Sequence, residues 1–350
     1  MLRVGVIGIG SISDLHIKSY LQNEEVQLVA FCDKNEQRLR EKSDTYDVDR
    51  RYDNYQDLLR DQTIDAVSIC TWNNSHAEIA IAALEAGKHV LVEKPLSMTV
   101  EEAEAVEAAV QRTGKVLQVG FVRRHGNNVK LLKKFIEHGE LGEIYYAKAS
   151  CLRRLGNPGG WFSDITKSGG GPLIDLGVHM IDICWYLMGK PRPVSVSGNT
   201  YKKLGNRSHI ENLSFYKAAD YDPSVNDVED LTNAMVRFEN GASLLVDVSF
   251  TLQAKEDEIS VKLFGDKGGA EIEPELAIIT EKYQTILNVT PQIDQLGFDF
   301  NQAFGSEINH FVACCLHGKE TIAPVEDGVQ VMRMLNGIYE SAKTGKEIYL

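Results

Sequence analysis

Short apolar runs alternate with amphipathic stretches through the first 120 residues. Residues 4–9 form a continuous apolar run of strand length, and 12–22 follow with a helical pattern. Val26–Cys32 reads as the next strand and Glu36–Tyr46 as a charged helix. A third strand at 66–71 precedes a helix rich in alanine and isoleucine at 75–86. A fourth strand at 89–92 leads to a helix at 100–112, with glutamate in its first turn where the helix dipole favours negative charge. Residues 116–120 supply a fifth strand. Strands separated by helices at this spacing pair in parallel through right-handed crossovers, which predicts a doubly wound α/β sheet.

Beyond residue 122 the texture changes. A helix is expected at 129–138, a strand at Ile144–Leu152, a loop rich in Gly, Pro and Ser at 156–172, and a helix at 173–187. Residues 194–279 alternate in the manner of antiparallel strands. Their clearest hairpin joins Leu231–Phe238 to 242–250 through Glu239-Asn240-Gly241, where Asn-Gly suits the positive φ of a tight turn. Helical patterns return at 306–317 and 328–344. This half reads as α+β, a largely antiparallel sheet with helices. The expected division is 1–122 and 123–350, with the last helix packing back toward the first domain.

Composition narrows the function. The 350 residues carry 37 Lys and Arg against 50 Asp and Glu, a net charge of −13, which opposes broad binding to nucleic acid or to an anionic membrane. A local basic pocket could still take a small anion. No run approaches the roughly 18 apolar residues of a membrane helix, and the N-terminus enters a strand with no secretory pattern. The six cysteines, Cys32, Cys70, Cys151, Cys184, Cys314 and Cys315, show no Cys-x-x-Cys or zinc spacing. Free thiols in a reducing cytoplasm, and no bound metal, are expected.

The chemistry begins at Gly8-Ile9-Gly10-Ser11-Ile12-Ser13, between the first strand and the first helix. Gly8 permits a tight turn, Gly10 lets backbone approach a pyrophosphate at the helix N-terminus, and Ser11 and Ile12 open that helix. Ser13 stands in place of a third glycine. Asp33, at the end of the second strand, would accept hydrogen bonds from both adenosine ribose hydroxyls and repel a 2′-phosphate, so NAD is favoured over NADP. Lys34 beside it could reach such a phosphate. The alternative is a plain glycine turn with a surface aspartate.

Three further segments bear on catalysis. Thr71, Trp72, Asn73 and His76 end the third strand, and Glu93-Lys94-Pro95 ends the fourth on the same edge, where ligands sit in open α/β sheets. Asp175 and His179 are at i and i+4 of the 173–187 helix, just after Gly169-Gly170-Gly171-Pro172, a backbone that could approach a ligand closely. Such a carboxylate would orient a histidine suited to general-base work. The plain readings are a surface Lys94–Glu93 pair and a solvated helical Asp–His contact. Arg123 and Arg124 are candidate receivers of a substrate carboxylate or phosphate, as are Arg153 and Arg154; the alternative is that they face solvent. Asp182 reads as structural, and His310 and Cys314 as members of an apolar helical face with Phe311.

Together these segments resemble the Gfo/Idh/MocA oxidoreductases, the glucose–fructose oxidoreductase and inositol 2-dehydrogenase family. The likeness rests on Gly8 to Ser13 with Asp33, and on Ala82-Ala83-Leu84-Glu85-Ala86-Gly87-Lys88-His89-Val90 leading into Glu93-Lys94-Pro95. It extends through 168–172 with Asp175, His179 and Asp182 to the segments beginning at Glu326 and Ser341. The resemblance implies a Rossmann domain followed by an α/β domain with a large open sheet, often used for subunit association, hence a homodimer or homotetramer. Lys94, Asp175 and His179 match the family's catalytic lysine, aspartate and histidine, and Trp161 a position near the cofactor. Trp72 stands where the family usually has proline. The function implied is NAD-dependent oxidation of a secondary hydroxyl of a sugar, cyclitol or sugar derivative. Hydride would pass to nicotinamide C4 and the proton to His179. The alternatives are an NAD-retaining glycoside-cleaving enzyme and a non-catalytic NAD-bound regulator. Specificity is expected in the loops 155–167 and 206–226.

Overall fold

In the computed structural model, which describes Met1–Ala218 and Tyr221–Leu350, the chain forms two units. Residues 219 and 220 of the 206–226 loop lie outside the described residues. One unit comprises Met1–Val122 with Asn301–Met332, the other Arg123–Phe300 with Arg333–Leu350.

The first unit is built on six parallel strands: β1 (Leu2–Ile7), β2 (Val26–Cys32), β3 (Arg50–Tyr52), β4 (Ala66–Ile69), β5 (His89–Glu93) and β6 (Leu117–Gly120). Their order is β3-β2-β1-β4-β5-β6. Strands buried on both faces read as unbroken apolar runs, and Val4, Val6, Val67 and Leu91 are fully buried. The order reverses between β1 and β4, the switch point outside which open α/β sheets bind ligands. The sequence pattern gave five strands; it did not show β3 or the helix Tyr55–Arg60. Three residues with Arg50 and Arg51 exposed at a sheet edge are too short and polar to display a period.

Beside the division expected at 123–350, contacts group Asn301–Met332 with the first unit. The helix Phe300–His317 buries Ile308, Phe311 and Val312 against Leu2, Val4, Tyr20, Val26, Ala66 and Leu91. Val119 N–H, in β6, donates to Ala323 O at 2.9 Å. An amphipathic stripe far along the chain thus covers one face of the parallel sheet.

The second unit holds a nine-stranded sheet: β7 (Ile144–Leu152), β8 (Pro193–Tyr201), β9 (Leu231–Phe238), β10 (Ser243–Ser249), β11 (Glu258–Gly265), β12 (Gly268–Glu273), β13 (Ala277–Lys282), β14 (Thr285–Val289) and β15 (Ile348–Tyr349). Its order is β14-β13-β12-β11-β7-β10-β9-β8-β15, and only the β7–β10 pair is parallel. The expected mostly antiparallel sheet is present, with β14 and β15 added beyond the alternating stretch. The helix Val178–Leu187 packs on the face formed by Ala147, Ala149, Leu244, Val246, Val261 and Leu263. On the opposite face Tyr146, Lys148, Asn233, Met235, Leu245 and Asp247 stay exposed or half-buried.

Phe311 tests the assignment of the distant helix. Truncating a fully buried phenylalanine removes its transfer energy and leaves a cavity. Phe311→Ala should lower unfolding free energy by about 3–5 kcal/mol in urea titrations. Unchanged stability would show that this helix does not complete the core.

Candidate active site

The turn after β1 carries the features a dinucleotide needs. Gly8 has φ +81°, and a Cβ there would lie 2.8 Å from the Cys70 backbone, so only glycine fits. A Cβ at Gly10 would meet no atom within 4 Å, which leaves that side of the loop open. Ser11 is exposed and Ile12 half-buried at the start of the helix Ser13–Leu21. The Ser13 hydroxyl donates to Gly10 O at 2.8 Å, so the residue replacing the third glycine tethers the loop. Asp33 lies beside it: its Oδ2 accepts from Ile9 N–H at 2.9 Å and its Oδ1 from Asn35 N–H at 2.8 Å. Lys34 is exposed, and Arg38 comes within 3.8 Å of the Asp33 carboxylate. An open glycine turn, a helix N-terminus and an acid at the end of β2 fit the pyrophosphate and ribose of NAD.

Sequence reasoning missed Lys42. Its Nζ donates to Gly10 O at 3.0 Å and sits 2.6 Å from Asp14, which also accepts from the Tyr46 hydroxyl at 3.0 Å. A lysine in a charged surface helix carries no local mark of this contact.

The ends of β4 and β5 are braced by buried side chains. Trp72 is 42% exposed, whereas Asn73 is buried, and the Ser75 hydroxyl donates to Thr71 Oγ1 at 2.8 Å. His76, expected as a cofactor contact, is buried with Nδ1 2.7 Å from Pro95 O and Nε2 3.0 Å from Thr71 O. It therefore ties the two turns together. Burial pushes its imidazole below the ordinary value, although both carbonyls favour the protonated ring. Glu93 is likewise engaged by protein groups. Its Oε1 lies 2.8 Å from His16 Nε2, and its Oε2 accepts from Lys94 N–H at 3.2 Å.

His16, unmarked in the sequence, is fully buried. Burial alone would lower its imidazole, yet contacts with Cys70 and Glu93 hold it well above the ordinary value. The buried His16–Glu93 pair fixes the backbone of half-buried Lys94, and the Lys94–Pro95 peptide is cis.

In the second unit, Asp175 and His179 lie on one helical run. It opens as a π-helix, Leu173–Gly177, and continues as the α-helix Val178–Leu187. The sequence pattern predicted a single helix type; π segments recur at functional sites. From Gly170 to Trp185 every residue is buried except Asp175 and His179, which are partly exposed. A helix that hides the surrounding residues as far as Trp185 and leaves a carboxylate and an imidazole accessible can offer both to a ligand. Trp161 is half-buried and stacks on Phe162, ring centroids 3.9 Å apart.

The arginines proposed for a substrate anion are largely committed to the protein. Arg124 is 1% exposed, paired with Asp182 and set over the Tyr186 ring. The two form a core ion pair, which gives Asp182 a structural role. Arg123 pairs with Glu273 and lies over Phe298. Arg153 donates to Gly156 O at 3.4 Å, and Arg154 to Lys255 O at 2.6 Å beside Asp257. Among the described residues no group of three or more His, Cys, Asp or Glu could hold a metal ion, and no helix could cross a membrane.

Residues 2–121 match the oxidoreductase family with an NAD-binding Rossmann fold named for Gfo, Idh and MocA, and residues 133–350 match its C-terminal α/β domain. The chain belongs to the Gfo/Idh/MocA family. A D-glucoside 3-dehydrogenase of Escherichia coli K12 is 34% identical, covering 100% of this chain and 97% of the relative. A myo-inositol 2-dehydrogenase of Thermotoga maritima is 29% identical over 76% of this chain and 74% of its own. The solved complex of a levoglucosan dehydrogenase with NADH and levoglucosan superposes with a TM-score of 0.86 at 25% identity, covering 99% of each chain. As a Gfo/Idh/MocA member, the chain is an oxidoreductase with an NAD-binding domain.

The Arg124–Asp182 pair gives this site its stability test. Removing one partner strands a buried charge, so Asp182→Ala should cost about 3–5 kcal/mol in denaturant unfolding. A loss below about 1 kcal/mol, the range of exposed pairs, would contradict the core assignment.

Proposed function

We propose that the protein is an NAD-dependent dehydrogenase that oxidises a secondary hydroxyl of a sugar, cyclitol or sugar derivative, with His179 as general base. The observation that carries this reading is the exposure pattern from Gly170 to Trp185, where only Asp175 and His179 are left accessible. Relatives named as dehydrogenases of glucosides, inositol and levoglucosan support the substrate class.

NAD, when bound, supplies the hydride acceptor. His179 takes the hydroxyl proton while Asp175 orients the imidazole or holds the substrate, and the Lys94 ammonium stabilises negative charge developing on the oxygen. Glu93 and His16 hold the Lys94 backbone. Asp33 favours NAD over NADP because its carboxylate repels a 2′-phosphate. The engagement of Arg123, Arg124 and Arg154 by protein groups favours an uncharged sugar or cyclitol over a sugar phosphate. Cysteines without disulfides fit a reducing cytoplasm.

The half-exposed sheet face also supports self-association. Met235 and Leu245 lie there, with the Tyr146 and Phe264 rings stacked at 5.2 Å. We infer a homodimer or homotetramer joined through this face. Light scattering should give a multiple of the 39.0 kDa chain mass, and Met235→Arg with Leu245→Glu should shift it toward one chain. A wild-type monomer would refute the inference.

A panel of cyclitols, aldoses, sugar phosphates and uronic acids, each with NAD and NADP, tests the reaction by NAD(P)H absorbance. Net NADH should form with an uncharged sugar or cyclitol. His179→Ala and Lys94→Ala should each lower kcat by about 100-fold or more. Near-normal turnover in both variants would overturn the catalytic assignment. Turnover of a glycoside without net NADH would favour the cleavage mechanism, and binding of NAD with no turnover a regulator. Faster reaction with NADP would refute the role given to Asp33, and preference for a sugar phosphate the neutral-substrate argument.

A further inference from the structure

Glu229 stands just before β9 and is buried. Its carboxylate collects three donors. Oε2 accepts from Gly171 N–H at 2.9 Å, while Oε1 accepts from Leu173 N–H at 3.2 Å and from the Tyr339 hydroxyl at 2.9 Å. The two amides open the helical run bearing Asp175 and His179, where backbone N–H groups have no intrahelical acceptor. Asp175 N–H donates in turn to Gly171 O at 3.0 Å. Glu229 is thus one residue removed from the backbone of Asp175.

The glycines make this approach possible. A Cβ on Gly170 would overlap the Tyr339 hydroxyl, and one on Gly171 would lie 2.5 Å from Glu229 O. The glycine run was expected to admit a ligand; at these two positions it admits Glu229 and Tyr339. Burial pushes the Tyr339 phenol well above its ordinary value and Glu229 adds to the shift, so the hydroxyl keeps its proton as a donor near neutral pH.

We propose that Glu229, supported by Tyr339, is a positioning residue that holds the first turn of this run so that His179 and Asp175 meet the substrate hydroxyl. The proposal rests on His179 being the general base. Neither residue is given contact with the reacting atoms. Displacing a catalytic group by about 1 Å costs on the order of 100-fold in rate, so loosening this cap should appear in kcat while the NAD-binding loop, part of the other unit, keeps its affinity.

The test uses the full chain and the uncharged substrate on which the wild type is active. Glu229→Gln keeps the shape but sets an amide donor against N–H and O–H donors, and Tyr339→Phe deletes one oxygen. Glu229→Gln should lower kcat by about 10- to 100-fold and shift the acid limb of the kcat/KM pH profile, with NAD affinity by fluorescence titration within about twofold. Tyr339→Phe should move both readouts in the same direction by a smaller factor, and it carries the test alone if Glu229→Gln does not fold. A folded variant with normal NAD affinity, unchanged kcat and an unchanged pH profile would overturn the proposal. His179→Ala separates the two levels. If it abolishes turnover while both cap variants retain it, only the positioning role fails; if it retains turnover, the base assignment fails and this proposal with it.

Discussion

A buried carboxylate that gathers several donors holds each segment that carries a proposed catalytic side chain. Glu93 takes His16 and the Lys94 amide; Glu229 takes two helix-opening amides and a phenol. Removing a carboxylate from water costs several kcal/mol, repaid only when good donors surround it. That cost makes the arrangement geometrically strict, since a backbone that drifts leaves charge unsatisfied in the interior. The two units arrive at the same solution with different donors. In the first the donor set includes a buried imidazole; in the second it joins backbone amides released at a helix start to a phenol.

The same strictness explains which parts of the fold were legible in the sequence. β1, β2, β4, β5 and β6 could be read because strands covered on both faces must be apolar throughout, as Val4, Val67 and Leu91 are. Gly8, Gly10 and Asp33 could be read because dinucleotide binding fixes their spacing within one βαβ unit. Asp175 and His179 could be paired because they lie four apart on one helix. Contacts made across sequence were hidden. Lys42 braces Gly10 from 32 residues away, His16 meets Glu93 across 77, and Asn301–Met332 joins the first unit after 178 intervening residues. Local periodicity carries no information about such pairings.

Three residues expected at a ligand share one physical feature. His76, Glu93 and Arg124 are polar groups in ligand-like sequence positions, and each proves to be buried against protein partners. A charged or polar side chain near a site can touch the ligand or hold the groups that do, and residue type does not separate the two. Burial does. His179 and Asp175 remain accessible within an otherwise hidden run, whereas Arg124 is enclosed with Asp182.

Glycine shows the same ambiguity from the side of the backbone. At Gly8 the residue is required by a left-handed φ against the Cys70 chain, and its neighbour Gly10 is left open as a cofactor loop needs. At Gly170 and Gly171 the missing Cβ is replaced by the reach of Tyr339 and Glu229. Both loops read alike as chain segments that something approaches closely. In one the space is kept for a ligand, and in the other it is filled by the side chains that hold the helix start in place. A glycine run therefore signals close approach without naming what approaches, and the atoms beyond the missing side chain decide between binding and support.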